Sequence, residues 1–258
     1  MRIALPLALA SLLLLVLPWW IPALTPVLLL AFLPLLWAHR YHLPTALLPQ
    51  TGVWMLCSLL VGLGWPLLVS LSWGGPTAST FKLGALLWLG LSSFHFIYHY
   101  LGAQRGYIAL PFLWLSAMAL PWYQGFAEQL PSLGAAFTGF LPFGKHLPLL
   151  GLLSATAWIW IVNILLFLIL SSFQQHKEWK PLTGQLLLVS GVLILLPLWF
   201  SSGAADPAAL AGPSAKGILP PEARKADLFV SRMSFFLAGF LLLFTLVRGY
   251  LKNKDPLS

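Results

Sequence analysis

Long uncharged apolar runs, each ended by charge, proline or glycine, divide this chain from one end to the other. A helix of about 20 apolar residues is what crosses a hydrocarbon core about 30 Å thick. Runs of roughly that kind occupy 3–20, 23–38, 52–72, 83–101, 107–125, 148–173, 184–202 and 228–249. The pattern predicts an all-α fold, a polytopic helical bundle in the membrane with about eight transmembrane helices, organised as a single transmembrane domain over 1–258. The first two runs are short, and Pro18, Pro22 and Pro26 crowd their join, so a hairpin that does not fully cross is the alternative there. Arg2 followed by an apolar run resembles a secretory signal. No A-x-A-like cleavage site follows it, so a retained anchor is the expectation.

Two connections are long enough to have structure of their own. The stretch 126–147 carries Gly134, Gly139 and Gly144 among apolar residues, which suggests an interfacial helix or a re-entrant turn. The stretch 203–226 is rich in Ala, Pro and Gly and reads as an irregular external loop. The two halves of the chain share no fixed spacing of helix breakers, which argues against an inverted-repeat transporter.

Composition excludes a water-soluble globular domain: 59% of residues are hydrophobic and 8% charged, where a soluble domain has about a quarter charged. The net charge of +8 does not point to nucleic acid, because the bases stand mostly singly between apolar runs. They act as topological signals instead. With all spans crossing, Arg2, Arg40, Arg105, Lys177, Lys180, Arg248, Lys252 and Lys254 collect on one side, and Lys82, Lys145, Lys216, Arg224 and Lys225 on the other. The first set is larger, so both termini are expected in the cytoplasm of a bacterium, with the protein in its inner membrane. Trp19, Trp20, Trp37, Trp54, Trp73, Trp122, Trp179 and Trp199 lie near predicted span ends, where an amphipathic ring favours the headgroup level. Cys57, alone in the chain, forms no internal disulfide or two-cysteine site and reads as a small packing residue.

Chemistry is sparse. No Asp or Glu falls inside a predicted span, which disfavours cation-coupled carriers and intramembrane aspartyl proteases. The most distinctive stretch is SSFHFIYHYLG, where His95 and His99 are one helical turn apart and continue a stripe with Ser92 and Gly102. Such a stripe is expected to face protein. Two imidazoles at this spacing can hold one metal ion, but they cannot both be axial ligands of one haem. A haem b therefore needs a second helix, and His39, His42 and His176 are the candidates, all on the same expected cytoplasmic side. Histidine is equally at home as an interfacial residue, and that reading stays open for all of them. Arg232 lies inside the last span, either snorkelling to the interface or holding an anion or a quinone carbonyl. Asn163 shares a face with Thr156, Trp160, Phe167 and Ser171, and an amide at that depth either ties helices together or contacts a ligand.

These features suggest an integral membrane subunit of a multi-protein complex. The favoured expectation is a respiratory or redox anchor binding haem b or quinone near the cytoplasmic leaflet. The alternative is a non-redox scaffold or permease subunit of a translocation or assembly complex. The expected partners are the lipid bilayer and other membrane and soluble subunits, without nucleic acid.

Overall fold

Lipid offers the backbone no hydrogen-bond partner, so a chain of this composition must pair its N–H and C=O groups within its own helices. The computed structural model describes residues 3–43, 46–72, 74–123, 131–136, 152–176, 181–200 and 221–254. Every element among them is helical, and the protein is an all-α membrane bundle. Five helical runs there are long and apolar enough to cross a membrane: Pro22–His42, Leu47–Leu71, Ala78–Leu101, Leu152–Gln174 and Phe229–Val247. The helices group into two compact units, Met1–Leu43 with Pro131–Asp227, and Pro44–Leu130 with Leu228–Ser258.

In the first unit, α1 (Ala4–Trp20) turns at Ile21 into the run Pro22–His42. This run changes its winding twice. Pro22–Leu30 is a 3₁₀-helix, α2 covers Leu33–Trp37, and Ala38–His42 forms a π-helical turn. Pro26 and Pro34 lack the N–H that a continuous α-helix needs. The nine 3₁₀ residues rise about 2.0 Å each instead of about 1.5 Å, so the run covers more membrane depth than its length suggests. Side chains serve the groups freed at the break. Leu35 N–H donates to Ser11 Oγ of α1 at 2.8 Å, and Phe32 N–H donates to Asn163 Oδ1 at 2.9 Å.

Asn163 belongs to α7 (Leu152–His176), the short helix α6 is Leu133–Ala136, and α8 is Pro181–Phe200. Gly134 N–H donates to Thr156 Oγ1 at 3.0 Å, and Thr156 O–H donates to Leu152 O. Phe32 stacks on Trp160 at 3.6 Å, Trp37 meets Phe167 edge-on, and Arg40 donates to Ser171 Oγ. Thr156, Trp160, Asn163, Phe167 and Ser171 thus form one working face, as their helical spacing predicts. Residue numbers rise together along both partners, so α7 runs parallel to Pro22–His42. Trp158 Nε1–H donates to Leu193 O of α8 at 3.0 Å.

The second unit holds α3 (Leu47–Leu71), α4 (Ala78–Leu101), α5 (Ala103–Tyr123) and most of α9 (Pro221–Lys254). Helices α3, α4 and α5 are successive antiparallel neighbours. A capping box between Thr77 and Thr80 starts α4, and Gly102, at φ 90°, ends it with room for an immediate turn into α5. Gly62, Gly64 and Pro66 are helix-breaking residue types, yet α3 is continuous through them. Pro66 cannot donate to the Gly62 carbonyl. That oxygen faces α4 instead, 3.5 Å from where a Cβ on Gly84 would lie. A Cβ on Gly62 would come within 2.7 Å of the Trp88 backbone nitrogen, so the two glycines allow the helices to touch backbone to backbone.

Three sequence-based expectations change. Trp54 is wholly buried, with its indole N–H donating to Leu91 O at 2.8 Å, and is not part of an interfacial belt. The connection expected over 203–226 is shorter, because α9 begins at Pro221; residues 201–220 lie outside the described set, as does 126–147 apart from 131–136. His39 lies within the helical run and is buried, not in a water-contacting tail.

Candidate functional site

The histidine pair of α4 divides between two environments. His95 is 1% exposed. Its Nε2 lies 3.3 Å from Thr51 Oγ1, and its ring lies nearly parallel to Trp54 at 6.3 Å. Trp54 in turn is fixed by Leu91 O and packs on Phe94 at 5.6 Å. One turn later His99 is exposed, with Tyr100 edge-on at 5.2 Å. His95 faces α3 at Thr51 and Trp54, whereas His99 stands on the exposed side of the last turn of α4, which ends at Gly102. The expected protein-facing stripe therefore holds for Ser92 and His95, and ends there, with His99 and Gly102 exposed. Ser92 is joined to α3 through Ser58 Oγ at 3.2 Å.

This difference is measurable. Diethylpyrocarbonate added to the detergent-solubilised protein is expected to modify His99 rapidly and His95 only after unfolding, as read by peptide mass spectrometry. Equal rates at the two positions would contradict the closed His95 environment.

In the first unit His39 is buried and His42 half-buried within the π-helical turn. His176 is the last residue of α7, and its side chain lies outside the described set. Among the described residues no group of three or more His, Cys, Asp or Glu side chains is placed to hold a metal ion. Cys57 is buried and in no disulfide.

Asn163 is fully buried, and its amide is engaged at both ends. Its Oδ1 accepts from Phe32 N–H, while Nδ2 donates to Leu28 O and to Ile159 O, all at 2.9 Å. Phe32 N–H and Leu28 C=O are the pair that would bond directly in a continuous α-helix. The amide is spliced into that bond, which is one recognised way of bending a helix.

Comparison with protein-family models, curated proteins and solved structures finds no match for this chain. The site must therefore be read from its own residues.

Arg232 sits on the exposed face of α9, flanked by exposed Phe229, Met233 and Phe236. Ser231, Ser234, Ala238 and Thr245 form the buried face of that helix. Arg232 lies well inside α9 because the helix starts at Pro221, yet only three residues into the apolar window Phe229–Val247. A snorkelling stem suits that depth. Sequence reasoning treated Arg40 as a topological charge alone. The structure gives it a defined setting in the π-helical turn, over the faces of Tyr41 and Phe167. The available signal was the Trp37–Tyr41 spacing of four, which places two aromatic rings beside it on one helix.

Proposed function

We propose that this chain is a non-redox integral membrane subunit of a multi-protein complex, acting as a scaffold or permease component of a translocation or assembly machine. The observation that carries the reading is the closure of His95 between Thr51 and Trp54. An iron ligand needs its Nε2 lone pair directed into open space. Here a hydroxyl and an indole occupy the surroundings of that ring. The other buried polar groups of the spans support the same reading. Asn163, Thr156, Ser58, Ser11 and Trp54 bond neighbouring backbone or one another, which is how polar side chains join helices in lipid. We place the protein in the inner membrane with both termini in the cytoplasm, on the distribution of Lys and Arg.

One observation favours the redox reading as the second. His99 is exposed on a helix surface beside Tyr100, where a partner helix carrying another histidine could complete a haem b or quinone site. The visible spectrum of the complex, purified in mild detergent with its partners and recorded before and after dithionite, separates the two. The expected result is a colourless assembly larger than the single chain. A reduced b-type α-band that disappears in His99→Ala would overturn the non-redox reading, and a chain that runs alone under these conditions would overturn the complex.

A further inference from the structure

Arg40 lies within one turn of the end of Pro22–His42, and Ser171 within one turn of the end of the apolar span Leu152–Gln174. The two spans are parallel, so both residues sit at the same membrane face, at the depth of lipid headgroups. Arg40 is half-buried, with its guanidinium carbon 5.4 Å from the centre of the Tyr41 ring and 5.9 Å from that of Phe167. The Trp37 and Tyr41 rings are 4.7 Å apart, and Trp37 meets Phe167 at 6.3 Å, so aromatic surface surrounds the cation. Cation–π contact orients a guanidinium but leaves its N–H edge available for hydrogen bonds.

Among the described residues that edge is only partly used. Nη1–H donates to Ser171 Oγ at 3.2 Å, and Ser171 O–H is itself directed to Leu168 O at 3.1 Å. A guanidinium has five N–H donors in a planar fork. Beside it the Tyr41 hydroxyl oxygen is buried and has no hydrogen-bond partner among the described residues. A guanidinium with donors to spare, followed in the chain by a tyrosine whose hydroxyl lacks a partner, suits an acceptor that is anionic and presents more than one oxygen. The π-helical turn that carries both residues is a rare backbone form that recurs at functional sites.

We propose that Arg40 and Tyr41 form a binding site for a phosphate oxyanion, and that its occupant is the headgroup of an anionic phospholipid. The non-bridging oxygens of a phosphodiester suit the guanidinium fork and can also accept from the Tyr41 hydroxyl. The site's depth supplies the lipid as the source, since a headgroup phosphate is held there at high local concentration. The inference holds under either reading of the protein's function.

The test uses the full-length protein in nanodiscs of phosphatidylcholine alone and of phosphatidylcholine mixed with phosphatidylglycerol, with the thermal unfolding midpoint as readout. The mixed bilayer is expected to raise the midpoint. Arg40→Gln and Tyr41→Phe are each expected to lose most of that rise, while Arg105→Gln, at the exposed α4–α5 turn, keeps it. Tyr41→Phe retains the ring and removes only the hydroxyl, so it carries the test if Arg40→Gln does not fold. Inorganic phosphate added to the pure phosphatidylcholine discs, against sodium chloride at equal ionic strength, identifies the source. Stabilisation there that Arg40→Gln abolishes would overturn the lipid and leave a soluble phosphate in the same site. Absence of any response to phosphatidylglycerol or phosphate, or an undiminished one in both variants, would overturn the site itself.

Discussion

Asn163→Leu is expected to lower the stability of the detergent-solubilised protein by about 1–3 kcal/mol, measured by loss of helicity on titration with sodium dodecyl sulfate. The substitution keeps the branched skeleton, with bulkier methyl groups in place of the amide O and NH2, and removes three hydrogen bonds, to Phe32 N–H, Leu28 O and Ile159 O. The Ile159 carbonyl loses little, because it lies within a regular turn of α7. Leu28 O keeps the Ala31 N–H at 3.3 Å, so the main cost falls on Phe32 N–H, which loses the Asn163 acceptor, and a buried group deprived of its partner costs on the order of 1–3 kcal/mol. Interhelical hydrogen bonds in membranes average only about 0.6 kcal/mol, because the separated helices find other partners. The larger figure is expected here because the break is held open from other sides, by Ser11 on Leu35 N–H and by Trp160 stacked on Phe32. A loss near the lower value would mean that the variant re-forms the direct Phe32–Leu28 bond and straightens the run. Asn163→Asp separates the two donors from the acceptor: it keeps the acceptor for Phe32 and sets a carboxylate oxygen against two carbonyls, so it should be no milder than leucine.

Gly62→Ala is expected to destabilise by about 2–3 kcal/mol, in the upper part of the range for overpacking. The atoms a new Cβ would meet are the backbone nitrogen and Cα of Trp88, at 2.7 and 2.9 Å. Neither can rotate away as a side chain would, so α3 and α4 must separate and give up part of the contact between Gly62 and Gly84. Gly52→Ala, in the same helix, is the matched control. No atom lies within 4 Å of its Cβ position, and alanine is favoured over glycine in a helix by roughly 0.5–1 kcal/mol. Opposite signs from one chemical change on one helix would locate the effect in the α3–α4 crossing. A loss of similar size at both positions would place it in helix propensity or detergent binding instead.

Much of the fold is legible in the sequence because lipid leaves few alternatives. Where the expected apolar runs fall on described residues they are helical, and five helical runs meet both length and hydropathy. The Thr156–Ser171 face of α7 follows from helical spacing alone, and the face is where the Pro22–His42 run docks. Pairing across the chain is not legible in this way. Asn163 announces a polar contact, but nothing local identifies Phe32 and Leu28 as its partners. Likewise the glycines and Pro66 of α3 suggest a kink, while the structure uses them for close approach. Only the position of Gly84 on the neighbouring helix decides between the two. The His95–His99 pair shares a helix face in sequence, and what separates the two environments is that Thr51 and Trp54 of α3 close over His95 while His99 stays exposed. Burial of that kind belongs to tertiary structure.

The parallel alignment of Pro22–His42 with α7 has a consequence for counting. Two spans that point the same way must be linked by an odd number of crossings. If α3 and α4 both cross, they provide two, so a third is required, and α5, with 21 residues, is a described helix long enough to supply it. If the five qualifying runs all cross, parity therefore demands at least one crossing more than those five. It also puts His42 and His176, the last residues of the two helices, on the same side of the bilayer.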